Sequence, residues 1–376
     1  MLAGLFLATA VAGVGATRLS IWLSHRLGIL DRPDPRKSHR EPVAYLGGLG
    51  ILLGFAAGVF VLVLSKPALV ATQGGPLLTV FLGAVLIFLV GFWDDVRPVP
   101  AWGKLLLQIG TASAMWFAGI RVEMVSYGFD QAVDLGALVS YGITVGWYVG
   151  LMNAMNLVDG LDGLAGGIAF IVALALVGVS MIIMPSPEVV LGAFVAVITA
   201  GAALGFLTFN WHPAKTFMGD GGSLLLGFLL ATAALISSTK TPTLLALSIP
   251  LVALGLPLFE TVFSFLRRAV QRRHPFRPDR RHLHYRLLDL GLDQRRVVLF
   301  LHFITAFLGI NSILLAAAES RVLYLNVFFL VLGLIILIEN LQFLERRRNG
   351  NGEHEPQPAG PVPGAGEKPA REKQLL

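Results

Sequence analysis

The stretch Asn153-Ala-Met-Asn156-Leu-Val-Asp159-Gly160-Leu-Asp162-Gly163-Leu164 decides how this chain is organised. It sets two carboxylates and two amides between long apolar segments near 137–152 and 163–184. Acidic residues at a membrane boundary are costly and usually serve a ligand. Glycine-mediated helix packing with an aspartate as a helix N-cap would account for one acid, but not for two acids and two asparagines. The stretch therefore predicts a ligand site at the edge of a membrane.

The composition extends this prediction to the whole chain. Of its 376 residues, 55% are hydrophobic and 14% are charged, whereas a soluble domain is about a quarter charged. The chain has no cysteine, which excludes disulfides and thiolate metal sites. We predict an all-α polytopic membrane protein with about eleven transmembrane helices. The apolar segments lie near 2–23, 46–65, 76–93, 103–120, 137–152, 163–184, 188–209, 222–238, 244–266, 297–316 and 322–344.

The distribution of basic residues predicts the orientation of these helices. Of the 29 Lys and Arg, only Lys66, Arg121, Lys240 and Arg321 fall in the loops of one side, and Arg18 lies within the first helix. The loops that carry the remainder are expected to be cytoplasmic. This orientation puts the N-terminus outside and the C-terminus inside.

Two segments outside the membrane helices have patterns of their own. Alternating apolar residues within 120–136 predict a small external hairpin after the fourth helix. Beyond Arg348 the chain turns to Gly, Pro, Glu and Lys, a composition that cannot form an apolar core. We therefore expect one integral membrane domain over 1–348 and a disordered cytoplasmic tail over 349–376.

Asp94 and Asp95 end the third predicted helix at its cytoplasmic side. They could be no more than solvated charges. However, acids at a helix C-terminus oppose the helix dipole, and two adjacent acids repel each other unless a cation lies nearby. Lys104, which opens the next helix, is the candidate cation for these acids or for a bound phosphate.

A glycine-rich turn, Phe217-Met-Gly-Asp220-Gly-Gly-Ser223, precedes the eighth predicted helix. Asp220 or Ser223 could simply cap that helix. A glycine-rich turn at a helix N-terminus is also typical of phosphate sites. An aspartate beside such a turn can hold Mg²⁺ while the phosphates supply other ligands.

The arginine-rich loop at 267–296 contains His282 and His284. Orientation and anionic lipid headgroups explain most of its arginines, and no nucleic-acid module accompanies them. Two histidines flanked by Arg280, Arg281 and Arg286 nevertheless suit a diphosphate. Because all these clusters are expected on one membrane side, they indicate phosphoryl chemistry on an anionic substrate.

The ordered motifs resemble those of the polyprenyl-phosphate N-acetylhexosamine-1-phosphate transferases over most of residues 20–300. They are Asp31-Arg-Pro-Asp-Pro-Arg-Lys37-Ser-His39 with Leu46-Gly-Gly48, Asp94-Asp95, Asn153 to Leu164, Pro213 to Ser223, and His282-Leu-His284-Tyr-Arg-Leu-Leu. The resemblance implies transfer of a sugar-1-phosphate from a UDP-sugar to undecaprenyl phosphate with release of UMP. This transfer would be the first membrane step of a cell-envelope polysaccharide pathway. It also implies Mg²⁺, with Mn²⁺ as a substitute.

The resemblance carries residue roles with it. Asp94 and Asp95 match catalytic acids, with Asp94 as the base that keeps the lipid phosphate ionised. Asp220 matches the metal-binding aspartate, and Asp95 is expected to share the metal. His282 and His284 match catalytic positions near the diphosphate. The residues expected to bind substrate are Lys37, His39, Lys104, Asn153, Asn156, Asp159, Asp162, Phe217 and Arg281, with Phe217 stacking on uracil.

The loop carrying His282 and His284 is similar to that of the GlcNAc branch of this family. That branch usually has a further histidine where this chain has Tyr285. The translocase branch carries three histidines before Phe-Glu, which this chain lacks. UDP-GlcNAc is therefore the expected donor, and another UDP-HexNAc or UDP-MurNAc-pentapeptide is the alternative.

A transporter or lipid flippase is the competing class. Such proteins place ionisable groups near the membrane midplane on broken helices. Here the acids lie at helix ends, and only 244–266 has the internal Pro and Gly of a broken helix. We therefore expect an enzyme of the bacterial plasma membrane, with a cytoplasmic active site and membrane lipids but no nucleic acid as partners. Assembly as a homodimer is left open.

Overall fold

The computed structural model describes residues 1–33, 41–127, 131–183, 186–238, 251–252, 254–259, 261 and 283–317. These residues are mostly helical, as predicted. The helices are α1 (Leu2–Leu27), α2 (Gly47–Ser65), α3 (Pro67–Val96), α4 (Ala101–Phe117), α5 (Gly136–Val158), α6 (Leu164–Ile182), α7 (Pro187–Asn210), α8 (Gly219–Ser238), α9 (Leu283–Asp289) and α10 (Gln294–Ala317).

Seven of the described helices are long and apolar enough to cross a membrane: α1, α2, α3, α6, α7, α8 and α10. The helices α4 and α5 coincide with predicted spans but do not meet that description. The 17 residues of α4 extend about 26 Å at 1.5 Å per residue, less than a hydrocarbon core. The helix α5 has 23 residues, but polar side chains such as Ser140 and Asn153 make it less apolar.

The polytopic architecture is therefore confirmed, while the count of eleven spans and the orientation stay predictions. The predicted spans near 244–266 and 322–344 lie largely or wholly outside the described residues. The predicted tail at 349–376 also lies outside them, so the domain division stays a prediction.

Two helix boundaries differ from the expected ones. The helix α3 begins at Pro67 instead of near residue 76, because proline is favoured in the first helical turn. The helix α5 continues to Val158, past its expected end at 152, and this extension places Asn153 and Asn156 on the helix itself. Gly163 precedes α6 without a side-chain cap, so neither Asp159 nor Asp162 serves as its N-cap.

The helices α7 and α8 form the centre of the bundle. Buried residues make up 89% of the apolar stretch of α7 and 94% of that of α8. The helix α7 packs against α1, α2, α6 and α8, and α8 also packs against α3 and α5. Helices in a membrane associate by close packing through small residues. A Cβ added at Gly205 would lie 2.5 Å from the backbone of Gly13, so α1 and α7 touch backbone to backbone.

Short strands join the loops between helices. The strands β1 (Leu30–Asp31) and β2 (Val43–Ala44) pair antiparallel, and Ala44 also forms a parallel bridge with Thr216. The strands β3 (Met124–Tyr127) and β4 (Gln131–Asp134) pair antiparallel, which confirms the hairpin after α4. Its tip at 128–130 lies outside the described residues.

Candidate active site

The polar clusters meet at one end of the bundle. The C-terminal ends of α3 and α5 lie there beside the N-terminal ends of α4 and α8. Lys104 of α4 joins Asp94 of α3, at 3.0 Å, to Asp220 of α8. Asn156 of α5 donates a hydrogen bond to Asp220 Oδ1 at 2.7 Å and another to Ser223 Oγ at 3.0 Å. The predicted convergence is thus confirmed for the described parts of the clusters.

Asp95 has a different environment from Asp94. Its Oδ1 accepts the backbone N–H of Asp220 at 2.9 Å, and its Oδ2 accepts that of Gly221 at 3.1 Å. A carboxylate from α3 therefore occupies the N-terminus of α8, where the glycine-rich turn indicated a phosphate. Gly219 makes this approach possible, because a Cβ at that position would overlap the Asp95 carboxylate.

Side chains tie the α5–α6 loop to the loop that follows α7. Asn210 Oδ1 accepts the N–H of Gly163 at 2.9 Å, and its Nδ2 donates to Thr216 O at 2.8 Å. Asp162 Oδ2 lies 2.7 Å from His212 Nδ1 and accepts the N–H of Ala214 at 3.1 Å. These bonds fix the two loops relative to each other.

Backbone hydrogen bonds hold Phe217 beside the start of α2. Phe217 N donates to Ala44 O at 2.9 Å, and Phe217 O accepts from Gly47 N at 2.9 Å. Tyr45 lies between these contacts, and its own N–H donates to Ser24 Oγ at 2.9 Å. The loop before α2 and the turn before α8 therefore present two aromatic side chains to the same space.

A cleft of about 380 Å³ opens between these loops and α9, within the usual size range of small-molecule sites. Acidic, amide, aromatic and aliphatic side chains all contribute to its lining. The residues that line it are Asp31, Tyr45, Asn156, Asp159, Gly160, Leu161, Asp162, Asn210, Phe217, Gly219, Asp220, Tyr285, Leu288 and Gln294.

The crowding of acids changes the protonation of the cleft. Burial, followed by the charges of Asp220, Asp95 and Asp162, raises the pKa of Asp159 from 3.8 to about 8. Burial, followed by the charges of Asp95, Asp220, Asp159 and Asp31, raises the pKa of Tyr45 well above its usual range. In the metal-free protein at neutral pH, Asp159 is therefore mostly protonated, and Tyr45 keeps a neutral hydroxyl that can donate a hydrogen bond.

The raised pKa predicts how Asp159 changes stability with pH. The folded state keeps a proton that the unfolded state has lost, so this group's contribution is full below pH 3.8 and disappears as pH rises to about 8. The slope is at most about 1.4 kcal/mol per pH unit. Asp159→Asn should therefore lessen the fall in Tm between pH 5 and pH 8 in metal-free detergent solution.

The matched control for this measurement is Asp289→Asn, which changes an exposed carboxylate at the end of α9. Its Tm should follow the pH dependence of the parent protein. Parallel curves for Asp159→Asn and the parent would contradict a raised pKa at Asp159.

The structure separates the expected site residues into groups. Asn156, Asp159, Asp162, Phe217 and Asp220 line the cleft. Asp95 and Lys104 lie next to it through their contacts with Asp220, and Asp94 follows through its contact with Lys104. Lys37, His39, Arg281 and His282 lie outside the described residues.

Asn153 and His284 are placed differently from the expectation of direct ligand contact, since neither lines the cleft. The Asn153 amide donates to Gln108 Oε1 at 2.6 Å and thereby links α5 to α4. His284 is only 1% exposed, and a Cβ added at Gly160 would lie 2.5 Å from its Nε2. His284 therefore fixes α9 against the α5–α6 loop.

The sequence alone did not single out Tyr45, Asn210 and Gln294 as site residues, although all three line the cleft. Asp31 also lines it, but the sequence showed it only as part of a motif. A signal existed for Tyr45, which directly precedes Leu46-Gly-Gly48. Asn210 and Gln294 had no such signal, because their positions depend on contacts between distant loops.

Comparison with known proteins places this arrangement in context. Residues 77–238 match the family described as glycosyl transferase family 4. A protein of Bacillus subtilis strain 168 named "Probable undecaprenyl-phosphate N-acetylglucosaminyl 1-phosphate transferase" is 34% identical over 315 residues, which cover 84% of this chain and 85% of the relative.

Two further relatives are named as enzymes of the GlcNAc type and of the MurNAc-pentapeptide type. The decaprenyl-phosphate N-acetylglucosaminephosphotransferase of Mycobacterium tuberculosis H37Rv is 34% identical, over 85% of this chain and 84% of its own. The phospho-N-acetylmuramoyl-pentapeptide-transferase of Heliobacterium modesticaldum is 36% identical, over 74% of this chain and 87% of its own. With a matching family signature and relatives aligned over most of its length, the chain belongs to glycosyl transferase family 4.

Proposed function

We propose that this protein transfers N-acetylglucosamine-1-phosphate from UDP-GlcNAc to undecaprenyl phosphate and releases UMP. The names of its relatives support a prenyl-phosphate acceptor and an N-acetylhexosamine-1-phosphate group. The observation that carries the proposal is the joining of Asp94, Lys104, Asn156 and Asp220 at the ends of α3, α4, α5 and α8, beside a cleft.

The reaction exchanges one phosphate partner for another. The bond between the two phosphates of UDP-GlcNAc breaks, the sugar phosphate is joined to the lipid phosphate, and UMP leaves. Both substrates are anionic, so charge neutralisation and positioning provide most of the rate increase. Lys104 supplies a fixed positive charge at this place.

The acids of the cleft fit Mg²⁺, or Mn²⁺ in its place. No group of three His, Cys, Asp or Glu suited to a metal occurs among the described residues. Mg²⁺ in phosphate-transfer sites, however, uses one or two carboxylates together with substrate phosphates and water. Asp220 lines the cleft and is the residue that would hold the ion. Bound Mg²⁺ would neutralise phosphate charge as the bond between the phosphates breaks.

We assign the nucleotide end of the donor to Phe217, Asn156 and Asp159, which all line the cleft. An aromatic ring held by backbone bonds offers a flat surface for uracil. Asp162 has one oxygen engaged by His212 and Ala214, so it positions the loop as well as lining the cleft.

We assign the lipid acceptor to the region beside the C-terminal end of α3 and the N-terminal end of α4. In sequence, Trp93 precedes Asp94 directly and Trp102 precedes Lys104 by two residues, and the two tryptophans are 60% and 69% exposed. Exposed tryptophans are typical of the membrane interface, where one end of the ring is apolar and the other is polar. A prenyl chain lying along these helices would bring its phosphate to Asp94 and Lys104.

We also propose a bacterial plasma-membrane location with the cleft on the cytoplasmic side, where nucleotide sugars are made. The charge distribution between loops supports this orientation. A transporter would need charged groups near the membrane midplane, whereas the described acids of this site lie at helix ends.

A turnover assay tests the proposed function. The purified protein would be given undecaprenyl phosphate with UDP-GlcNAc, UDP-GalNAc or UDP-MurNAc-pentapeptide, and UMP and lipid product would be measured. UDP-GlcNAc should give the highest kcat/KM. Preference for the pentapeptide donor would overturn the branch assignment, and the absence of lipid product with every donor would overturn the enzyme assignment.

Tyr285→His should change the donor preference. Tyr285 lines the cleft, whereas the neighbouring His284 is packed against Gly160. We expect the ratio of kcat/KM for UDP-GlcNAc and UDP-GalNAc to change by roughly ten-fold, as is typical when one contact in a specificity pocket changes. The KM for undecaprenyl phosphate should stay within about two-fold.

Asp289→Asn, on the same helix but exposed, is the matched control for Tyr285→His. It should leave both the donor ratio and the acceptor KM unchanged. An unchanged donor ratio in Tyr285→His would show that the side chain at this position does not contact the sugar.

A further inference from the structure

Asp95 and Asp94 are adjacent in sequence but serve different neighbours. Asp94 Oδ1 accepts the N–H of Val99 at 2.7 Å, and its Oδ2 contacts Lys104 at 3.0 Å. Both carboxylate oxygens of Asp95 instead accept backbone N–H groups in the first turn of α8. Asp95 is also absent from the cleft lining, although Asp220, to which it is bonded, lines it.

The first N–H groups of a helix have no partner within the helix. In α8 the residues that carry two of these groups are Asp220 and Gly221. A negatively charged carboxylate satisfies both donors and interacts favourably with the positive end of the helix dipole. The cap comes from α3, so it fixes the start of α8 against another helix instead of against its own loop.

The glycines around this contact fit the same arrangement. A Cβ added at Gly91, one turn before Asp95, would lie 2.5 Å from the carbonyl of Asp220 and from Gly221 N. Gly219 has a φ of +64°, and a Cβ there would overlap the Asp95 carboxylate. The backbones of α3 and α8 can therefore approach closely enough for the cap to form.

We propose that Asp95 is a positioning residue, which caps α8 and thereby holds the Asp220 carboxylate towards the cleft, and that it contacts neither metal nor substrate itself. This assignment departs from the shared metal ligation that the family resemblance implied for Asp95. It rests on the proposed function only in taking Asp220 as the metal-binding residue. The cap itself is a property of the metal-free protein.

Amide hydrogen exchange of the full-length protein, in detergent with EDTA and without substrate, tests the cap directly. Asp95→Asn places an amide NH₂ against a backbone donor, so the peptide covering residues 218–224 should exchange at least about five-fold faster. Asp94→Asn, the adjacent control, should leave this peptide within about two-fold of the parent. A metal ligand would have no such effect in the absence of metal.

Gly91→Ala provides a second variant that alters no carboxylate. Its added methyl group would push α3 away from the first turn of α8. Alanine has a higher helix propensity than glycine, so α3 itself should stay helical. We expect the same faster exchange at 218–224 and a fall in kcat larger than any rise in the KM for the donor. Parental exchange rates in both variants would overturn the proposal, whether or not the enzyme turns over.

Discussion

Asp220→Asn should remove metal-dependent turnover while the protein still folds. The Asp220 carboxylate lines the cleft and is held there by Asn156 and Lys104. Replacing one of its oxygens by an NH₂ group removes the negative charge that attracts a cation and sets a donor against the Lys104 ammonium. We expect kcat to fall by about 10²–10³-fold or more, the range seen when one preorganised electrostatic contact in an active site is lost.

Folding should survive this change, because the cap on α8 uses the backbone N–H of residue 220 and not its side chain. The measurement is turnover of UDP-GlcNAc against Mg²⁺ concentration, together with the Tm of each preparation. Asp289→Asn serves as the exposed carboxylate control. Turnover close to that of the parent, with the same Mg²⁺ dependence, would show that Asp220 does not bind the metal.

The helices were predictable because each apolar run carries its own signal. A segment of about 20 apolar residues indicates a membrane helix even when its contacts with other segments are not known. The extension of α5 to Val158 was missed because Asn153, Asn156 and their polar neighbours end the apolar run before the helix ends. The helix continues because Asn153 and Asn156 form hydrogen bonds with Gln108 and Asp220 on neighbouring helices.

The convergence of the acids was also predictable, since helices that alternate in direction bring alternate ends to one membrane side. Which neighbour each of those acids contacts was not predictable. Asp94 and Asp95 are equivalent in sequence, yet α-helical geometry turns adjacent side chains about 100° apart. One of them therefore faces Lys104 and the other faces the first turn of α8.

The aromatic and amide side chains that line the cleft are brought there by contacts between distant loops. Tyr45 and Phe217 line the same cleft because Ala44 pairs with Thr216 and Gly47 bonds to Phe217. Asn210 enters the site by bridging Gly163 and Thr216. Sequence spacing contains no information about such pairings, whereas local hydrophobic patterns contain much about the helices.

Lys104→Met should lower turnover by about 100-fold without weakening the apparent affinity for Mg²⁺. The Lys104 ammonium lies between Asp94 and Asp220 and is the cation that allows these acids to lie close together. Its loss removes a fixed positive charge from the place where phosphate charge changes during transfer. Losing one preorganised electrostatic contact in an active site typically lowers kcat by about 10²–10³-fold. The methionine keeps most of the aliphatic length of the side chain, so packing against α3 should be little changed.

Electrostatics predicts that the same substitution does not weaken the binding of Mg²⁺. Without Lys104 the two carboxylates repel each other and attract another cation more strongly, so the Mg²⁺ concentration for half-maximal turnover should stay the same or fall. Lys215→Met, which changes an exposed lysine in the loop after α7, is the matched control and should retain parental kinetics. A rise in the Mg²⁺ requirement of Lys104→Met would show that this lysine supports the metal site instead of neutralising the acids. Parental turnover would show that its charge is not used in the transfer at all.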